Sequence, residues 1–277
     1  MSITRRVCRR GKKEIEMMRA KFAAVLFSWV SLGQAGAAER GLWEKPVVIG
    51  ASVADGCNMS DLAGPKSQAL SFDLFLDRAV TADHGAFENK GSMMFFMSAE
   101  GVARKQSDFV KAAAPTVVIS PDFLFWFLYG ELETEGKRLE LFEKGLEHLE
   151  SIACPLVVGD IPNARHVEGG ILSKKQIPAA STIEKANKRV REWAAEKKNV
   201  GLIPVSEFMR TVWANEALVV RGREVPEGQS AKLLQTDGLH PEPEGVELIA
   251  LAALDVLQTL TGFAEGDVAW AADPAAP

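Results

Sequence analysis

Short apolar runs rich in β-branched residues recur along the chain, each bounded by glycine, proline or polar residues. This pattern predicts buried strands. The runs lie at 47–50, 116–120, 155–159 and 201–205, and the apolar segment 93–96, entered from a loop, completes a set of five. Pro204 cannot donate a hydrogen bond to a neighbouring strand, so the last strand is predicted at an edge of the sheet.

Between these runs, apolar residues recur at steps of three and four positions, which is typical of helices that bury one face. They are predicted at 63–80, 139–152, 181–197 and 246–260, the last being apolar almost all round. Strands that alternate with helices predict an α/β fold of three layers, α/β/α, around a five-stranded, mostly parallel sheet. The segment 167–178 contains two adjacent glycines and is predicted to be a flexible excursion that acts as a lid.

The two ends of the chain differ from its middle. A basic stretch, Arg5–Lys13, precedes the apolar segment Phe22–Leu32 and a run of small residues, which together indicate a secretory signal over 1–38. The alternative is a buried N-terminal helix. We therefore expect a periplasmic or secreted protein with no integral membrane anchor after signal removal, one globular domain over 39–262 and a disordered tail over 263–277.

Composition and charge limit the kinds of molecule that the protein is expected to bind. The 277 residues are 47% hydrophobic and 25% charged, which fits a single globular domain with a sizeable core. The net charge of −5, with lysine and arginine scattered, predicts no nucleic-acid partner. Two cysteines remain after the signal, Cys57 and Cys154, and in an oxidising compartment they either pair or stay as buried thiols.

The first strand leads into a candidate nucleophile. Its β-branched run closes on Gly50, and Ser52 follows two positions later. Such a turn from strand to helix lifts a hydroxyl out of the sheet, where backbone amides of the next helix point at a developing oxyanion. The alternative is an ordinary strand-to-loop turn in which the serine caps a helix.

The partners that a serine nucleophile needs come near the end of the chain. Serine requires a base, and the base requires a carboxylate that fixes its tautomer. Asp237 and His240 lie three positions apart on one tight turn between Gly238 and Pro241. This turn follows the last predicted strand and precedes the long apolar helix, where an open α/β sheet places its functional loops.

The segment Gly50–Gly56, taken together with Asp237–His240, resembles the SGNH or GDSL-type hydrolases over roughly 46–260. The resemblance implies a flavodoxin-like three-layer fold and ester hydrolysis or acyl transfer without a metal or other cofactor. By position, Ser52 would be the nucleophile, His240 the base and Asp237 the residue that orients the base.

This chain departs from the family pattern at two places, of which the first removes a charge and the second removes an asparagine of the oxyanion hole. The family's aspartate before the serine is Ala51 here, and its Gly-x-Asn-Asp block is replaced by Ser120-Pro121-Asp122-Phe123. Pro121 has no amide hydrogen to donate.

Three residues become candidates for the oxyanion or substrate contacts. Gly91 matches the family position of a second oxyanion amide, the alternative being an ordinary loop glycine. Asn163, in the polar loop after the fourth strand, has an amide that could replace the missing donor, the alternative being a capping role. Asp122 is the polar exception in an aromatic run, and we expect it to hold the site loop through backbone hydrogen bonds.

The aromatic run Pro121–Gly130 either lines an acyl pocket or packs beneath the site. These observations favour an exported serine hydrolase acting on a small-molecule, lipid or glycan ester. Two other functions stay open. One is acyl transfer to a glycan, and the other is a non-catalytic extracytoplasmic binding module that retains the fold.

Overall fold

The computed structural model describes residues 41–57 and 71–269. The predicted signal over 1–38 lies outside the described residues. Five strands form one sheet in the order β2-β1-β3-β4-β5, and every neighbouring pair is parallel. They are β1 (Pro46–Val48), β2 (Glu88–Asn89), β3 (Val117–Ser120), β4 (Leu156–Gly159) and β5 (Val200–Ile203). The predicted α/β class is confirmed, and β5 lies at the predicted edge.

Helices cover both faces of this sheet. The chain order is α1 (Ser52–Asp55), α2 (Phe72–Ala79), α3 (Ala99–Ala113), α4 (Phe125–Leu128), α5 (Glu135–Glu150), α6 (Ala180–Ala195), α7 (Val205–Trp213) and α8 (Pro243–Thr261). Side chains of α3, α5 and α6 join one core cluster, and those of α2, α7 and α8 join the other. The three-layer arrangement is therefore as predicted. No helix in the described ranges is both long and apolar enough to cross a membrane.

The central strands are apolar on both faces because both faces are covered. Val118 points into the first core cluster, whereas Val117 and Ile119 point into the second, and all three are fully buried. Burying such a side chain stabilises the fold by roughly 1.5–3 kcal/mol. Continuous β-branched runs are thus what a parallel sheet between two helical layers requires.

Several elements differ from the predictions, among them α3, which was not predicted. The second strand is Glu88–Asn89, and the apolar segment expected to supply it forms a 3-10 helix, Met93–Phe96. Ser92 causes this turn, because its hydroxyl accepts the Met94 amide at 3.3 Å and so caps the helix. A small antiparallel hairpin, β6 (Leu218–Val220) with β7 (Arg223–Val225), was not predicted.

The segment predicted as a flexible lid, 167–178, is attached to the domain at several points, and its role as a lid stays a prediction. Arg138 on α5 is only 3% exposed, and its guanidinium donates to the carbonyls of Leu128, Gly130 and Lys175. Leu172 is buried within the same segment. An arginine with several carbonyl acceptors fastens the segment to the end of α4.

The first part of the predicted disordered tail, 263–269, is ordered. Residues 263–269 pack back onto the domain, where Val268 is buried and pairs with Val80. The amide of Ala269 donates to the carbonyl of Ala79 at 2.7 Å. These backbone bonds bury Val268. The prediction of disorder rested on the Gly-, Asp- and Ala-rich composition, in which a single apolar residue carries little weight. Residues 270–277 lie outside the described residues.

Candidate active site

The carboxyl ends of three strands open onto one narrow cavity of about 50 Å³. Ser52 follows β1, Asp122 follows β3 and Asp160 follows β4, and His240 reaches the same cavity from the loop before α8. Parallel strands present their carboxyl ends at one rim, so residues far apart in sequence meet there. The structure thus brings Ser52 and His240 together at the predicted edge.

A second, wider cavity of about 350 Å³ also includes both side chains. Its lining consists of Ser52, Cys57, Met93, Phe96, Trp126, Ile171, Leu172, Gln176, Leu239 and His240. Ser52 and His240 therefore line both the narrow and the wide cavity. No hydrogen bond joins the Ser52 hydroxyl to the imidazole in the described part of the chain. Such bonds are often long in ligand-free enzymes and tighten when substrate binds.

The turn before Ser52 depends on a glycine. Gly50 has φ of 147°, and a Cβ there would lie 2.4 Å from Asp122 Oδ1 and 2.8 Å from the Ala54 side chain. Gln106 on α3 is buried, and its amide group pairs with both backbone groups of Gly50, at 3.1 and 2.8 Å. This pairing fixes the elbow at a position where any larger residue would clash.

Asp122 holds the same elbow from the other side. Its two carboxylate oxygens accept the amides of Ala51 and Val53, each at 2.7 Å. Burial raises the pKa of Asp122 to about 6, although these amides favour the ionised form. Both oxygens are occupied by backbone donors, so Asp122 positions the Ser52 turn. The expected loop-holding role matches this geometry.

The histidine is oriented by a local carboxylate. Asp237 Oδ2 accepts the Nδ1 hydrogen of His240 at 2.5 Å, and Oδ1 accepts the backbone amides of Leu239 and His240 at 2.8 and 2.9 Å. Desolvation opposes ionisation of Asp237, but the hydrogen bonds from His240 and the two amides prevail and lower its pKa. The Nδ1 bond leaves Nε2 as the nitrogen able to exchange a proton.

Cys57 is a neighbour of His240 that the sequence analysis did not identify. It lies just beyond the single turn of α1, where its amide donates to the Ser52 carbonyl at 2.8 Å. Burial lowers the pKa of His240, but hydrogen bonds to Asp237 and to the Cys57 side chain outweigh it and raise the pKa to about 9. Cys57 and Cys154 are thiols rather than a disulfide pair.

Two further residues support the histidine loop, and neither was predicted. The side-chain amide of Gln235 donates to the carbonyls of Cys57 and Pro241, each at 2.8 Å, and so joins the end of α1 to the loop. The indole of Trp213 donates to the Gly238 carbonyl at 2.8 Å. Glutamine and tryptophan at these positions carry no motif signal, because their partners lie on distant segments.

Gly91 is not placed as an oxyanion donor. Its amide donates to the Asn89 side-chain oxygen at 2.7 Å, and it lines neither the narrow nor the wide cavity. A Cβ at Gly91 would lie 2.5 Å from the Asp55 amide nitrogen and 2.7 Å from the Ala54 carbonyl carbon. The glycine is needed for close packing against α1, so the prediction for its amide is wrong in this geometry.

Asn163 also lies away from Ser52. It is exposed and lines a separate groove of about 430 Å³ with His166, Arg191 and other residues. The reason is the preceding loop, in which the Tyr129 hydroxyl donates to the Pro162 carbonyl at 2.7 Å and accepts the Ala164 amide at 2.9 Å. Pro162 therefore reaches the narrow cavity, and Asn163 points elsewhere. The proposed contact of Asn163 with the oxyanion is not supported.

Comparisons with known proteins agree on the architecture. No protein-family model matches the sequence, and no curated protein matches it. Among solved structures, the chain is similar to Axe2, an acetylxylan esterase from Geobacillus stearothermophilus, with a TM-score of 0.51 and 18% identity over 77% of this chain and 94% of that chain. A lipase/acylhydrolase from Enterococcus faecalis has a TM-score of 0.50 and 16% identity over 78% and 96%.

A protein assigned to the G-D-S-L lipolytic family, from Desulfitobacterium hafniense DCB-2, covers 77% of this chain and 99% of its own at 17% identity and a TM-score of 0.47. Identities this low bear on the fold alone. The five-stranded parallel sheet with helices on both faces agrees with that fold. The chain has the SGNH/GDSL-type hydrolase fold.

Proposed function

We propose that the protein is a serine hydrolase that cleaves an acyl ester, with Ser52 as nucleophile, His240 as base and Asp237 as the group that orients it. The observation that carries the proposal is the cavity rim where Ser52 meets a histidine held by a carboxylate at 2.5 Å. A hydroxyl, an imidazole and a buried carboxylate are the three groups that acyl transfer through serine requires.

In the proposed reaction, His240 Nε2 removes the proton of the Ser52 hydroxyl as its oxygen attacks the ester carbonyl carbon. The tetrahedral intermediate places its negative charge beside the Ser52 amide at the start of α1. It then collapses, and the imidazolium returns the proton to the departing alcohol. Water, deprotonated by the same imidazole, releases the acid from Ser52. Asp237 stays ionised throughout and stabilises the imidazolium.

Export is part of the proposal. It rests on the basic and apolar pattern over 1–38, which lies outside the described residues. Cell fractionation of the full-length chain and of a variant lacking 1–38 tests it. We expect the full-length chain, shortened at its N-terminus, outside the cytoplasm, and the truncated chain inside.

The decisive experiment combines a fluorophosphonate probe with hydrolysis of aryl esters. Wild type should become labelled and turn over, and Ser52→Ala should lose labelling and at least about 10³-fold in kcat. Ser181→Ala, an exposed serine on α6, serves as the matched control and should behave as wild type. Turnover that survives in Ser52→Ala would refute the assignment of the nucleophile.

A binding module is the second candidate. It is favoured by the engaged Gly91 amide and by Pro121, which together leave fewer oxyanion donors than the family pattern has. Removing one oxyanion donor typically costs about 10²–10³ in rate. A folded wild-type protein that neither reacts with the probe nor hydrolyses any aryl ester would favour this function over the hydrolase.

A further inference from the structure

The wide cavity is apolar except at its Ser52 end. Six apolar side chains line it, namely Met93, Phe96, Trp126, Ile171, Leu172 and Leu239. Beyond Ser52, His240 and the Cys57 thiol beside them, its polar lining is Gln176, whose side-chain oxygen already accepts the Ser173 amide at 2.8 Å. A sugar would need several hydrogen-bonding partners in such a space, and an unpartnered hydroxyl in an apolar site is costly.

Apolar surface continues from this cavity to the outside of the molecule. Phe96 packs on Trp126 with ring centroids 6.0 Å apart, yet Phe96 is 54% exposed. Met94 and Met97 beside it are 52% and 66% exposed. Among the large apolar side chains of the described ranges, Val219 is the other one that is similarly exposed. Exposed apolar residues gathered on one turn, at the mouth of a cavity, indicate a binding surface.

This exposed turn is held firmly in place. Phe95 is fully buried between the turn and α4, with its ring 5.3 Å from Phe123 and 5.9 Å from Phe127. The Met93 amide donates to Asp55 on α1 at 3.0 Å. The turn is therefore anchored to the same short helix that begins with Ser52, and its outward side chains have defined positions relative to the hydroxyl.

We propose that the acyl part of the substrate is an unbranched apolar chain of medium length, rather than an acetyl group, and that Phe96 and Trp126 select it. The chain runs from Ser52 along the wide cavity, between Phe96 and Leu172, and its far end rests on the exposed methionines. This inference rests on the proposed function, because the ester carbonyl must lie at Ser52.

The volume of the cavity sets the length. At about 30 Å³ for each water-sized group, 350 Å³ holds about twelve non-hydrogen atoms. An ester of about eight carbons fills this space, whereas an acetyl group leaves most of it to water. Each added methylene that leaves water should raise kcat/KM about fourfold, the fold-change that corresponds to about 0.8 kcal/mol.

The test is a series of aryl esters with acetyl, butyryl, hexanoyl and octanoyl groups, compared by kcat/KM. Wild type should prefer octanoyl over acetyl by about 10³-fold or more, because a fourfold gain for each of the six extra methylenes multiplies to about 4 × 10³ when all of them leave water. Phe96→Ala should reduce this preference about tenfold while the acetyl rate stays unchanged, and Trp126→Ala should act in the same direction. Val219→Ala removes a similarly exposed apolar side chain that does not line the cavity and should change neither value.

The results separate this inference from the proposed function. Ser52-dependent turnover that is fastest with acetyl esters, or with an acetylated oligosaccharide, overturns the acyl-chain assignment and leaves the hydrolase intact. Equal losses on every ester in Phe96→Ala, with an unchanged melting temperature, overturn the selecting role of Phe96. Turnover that persists in Ser52→Ala overturns the proposed function first.

Discussion

The two sides of the site are held in different ways. The Ser52 side is fixed by buried polar groups from distant segments, since Gln106 and Asp122 lie 56 and 71 residues from their backbone partners at Gly50 and Ala51. The His240 side is fixed mainly by Asp237, three residues away. One side thus depends on the tertiary fold, and the other is largely a local turn.

Because of this difference, mutations on the two sides of the site should have different effects on stability and on catalysis. Removing a distant support should disturb the elbow and the stability of the fold together, because the supporting atoms are buried and their partners would be left unsatisfied. Removing the local carboxylate should disturb the imidazole and spare the fold. Gln235 is where the two sides meet, since its amide bonds to both Cys57 and Pro241.

The largest effect should come from the local side. Asp237→Asn keeps the shape but presents the wrong partner to Nδ1, so the histidine no longer offers the correct tautomer to Ser52. We expect kcat to fall by about 10³–10⁴ with a small change in melting temperature. Asp83→Asn, an exposed aspartate, is the control. A loss below tenfold would mean that His240 does not act through Asp237.

Asp122→Asn tests the distant side. The amide offers one oxygen where the carboxylate offers two, so one of the two backbone donors at Ala51 and Val53 loses its acceptor. A misplaced nucleophile commonly costs up to about a hundredfold in rate, and we expect a fall of about ten- to a hundredfold in kcat/KM.

The pH dependence of stability gives a second measurement for the same variant. Because the pKa of Asp122 is raised from 3.8 to about 6, the folded state keeps a proton that the unfolded state releases. The free energy of unfolding of wild type should therefore fall relative to Asp122→Asn as the pH rises from about 4 to 6. Parallel curves for the two proteins over this range would contradict the assignment.

Sequence reasoning recovered the parts of the molecule that local patterns encode. The β-branched runs predicted β1, β3, β4 and β5, and the edge position of β5 followed from Pro204. The Asp237–His240 pair was likewise readable, because both residues lie on one turn. The hairpin was missed, although Arg221 and Gly222 with φ of 48° and 80° form the tight turn that joins its strands.

The hydrogen-bond donors to the oxyanion were harder to predict, because they depend on the direction in which each amide group points. Gly91 and Asn163 have suitable chemistry. However, the Gly91 amide donates to the Asn89 side chain, and the Tyr129 hydroxyl bonds to the loop that contains Asn163 and sets its direction. Both partners come from outside the motif. Gln106 was missed for the same reason, since a glutamine within a charged amphipathic helix gives no sign that it is buried against Gly50.

The smallest effect should come from Cys57, where the two sides of the site touch. A general base works in its neutral form, so with the pKa of His240 at about 9, kcat/KM should rise with pH and level off only above that value. Cys57→Ala removes one of the two side chains that raise the pKa of His240, and burial, which lowers it, remains. The inflection should move to lower pH, and the ratio of activity at pH 7 to that at pH 9 should increase. Cys154→Ala provides the control, and the same inflection in wild type and Cys57→Ala would show that Asp237 alone sets the basicity of the imidazole.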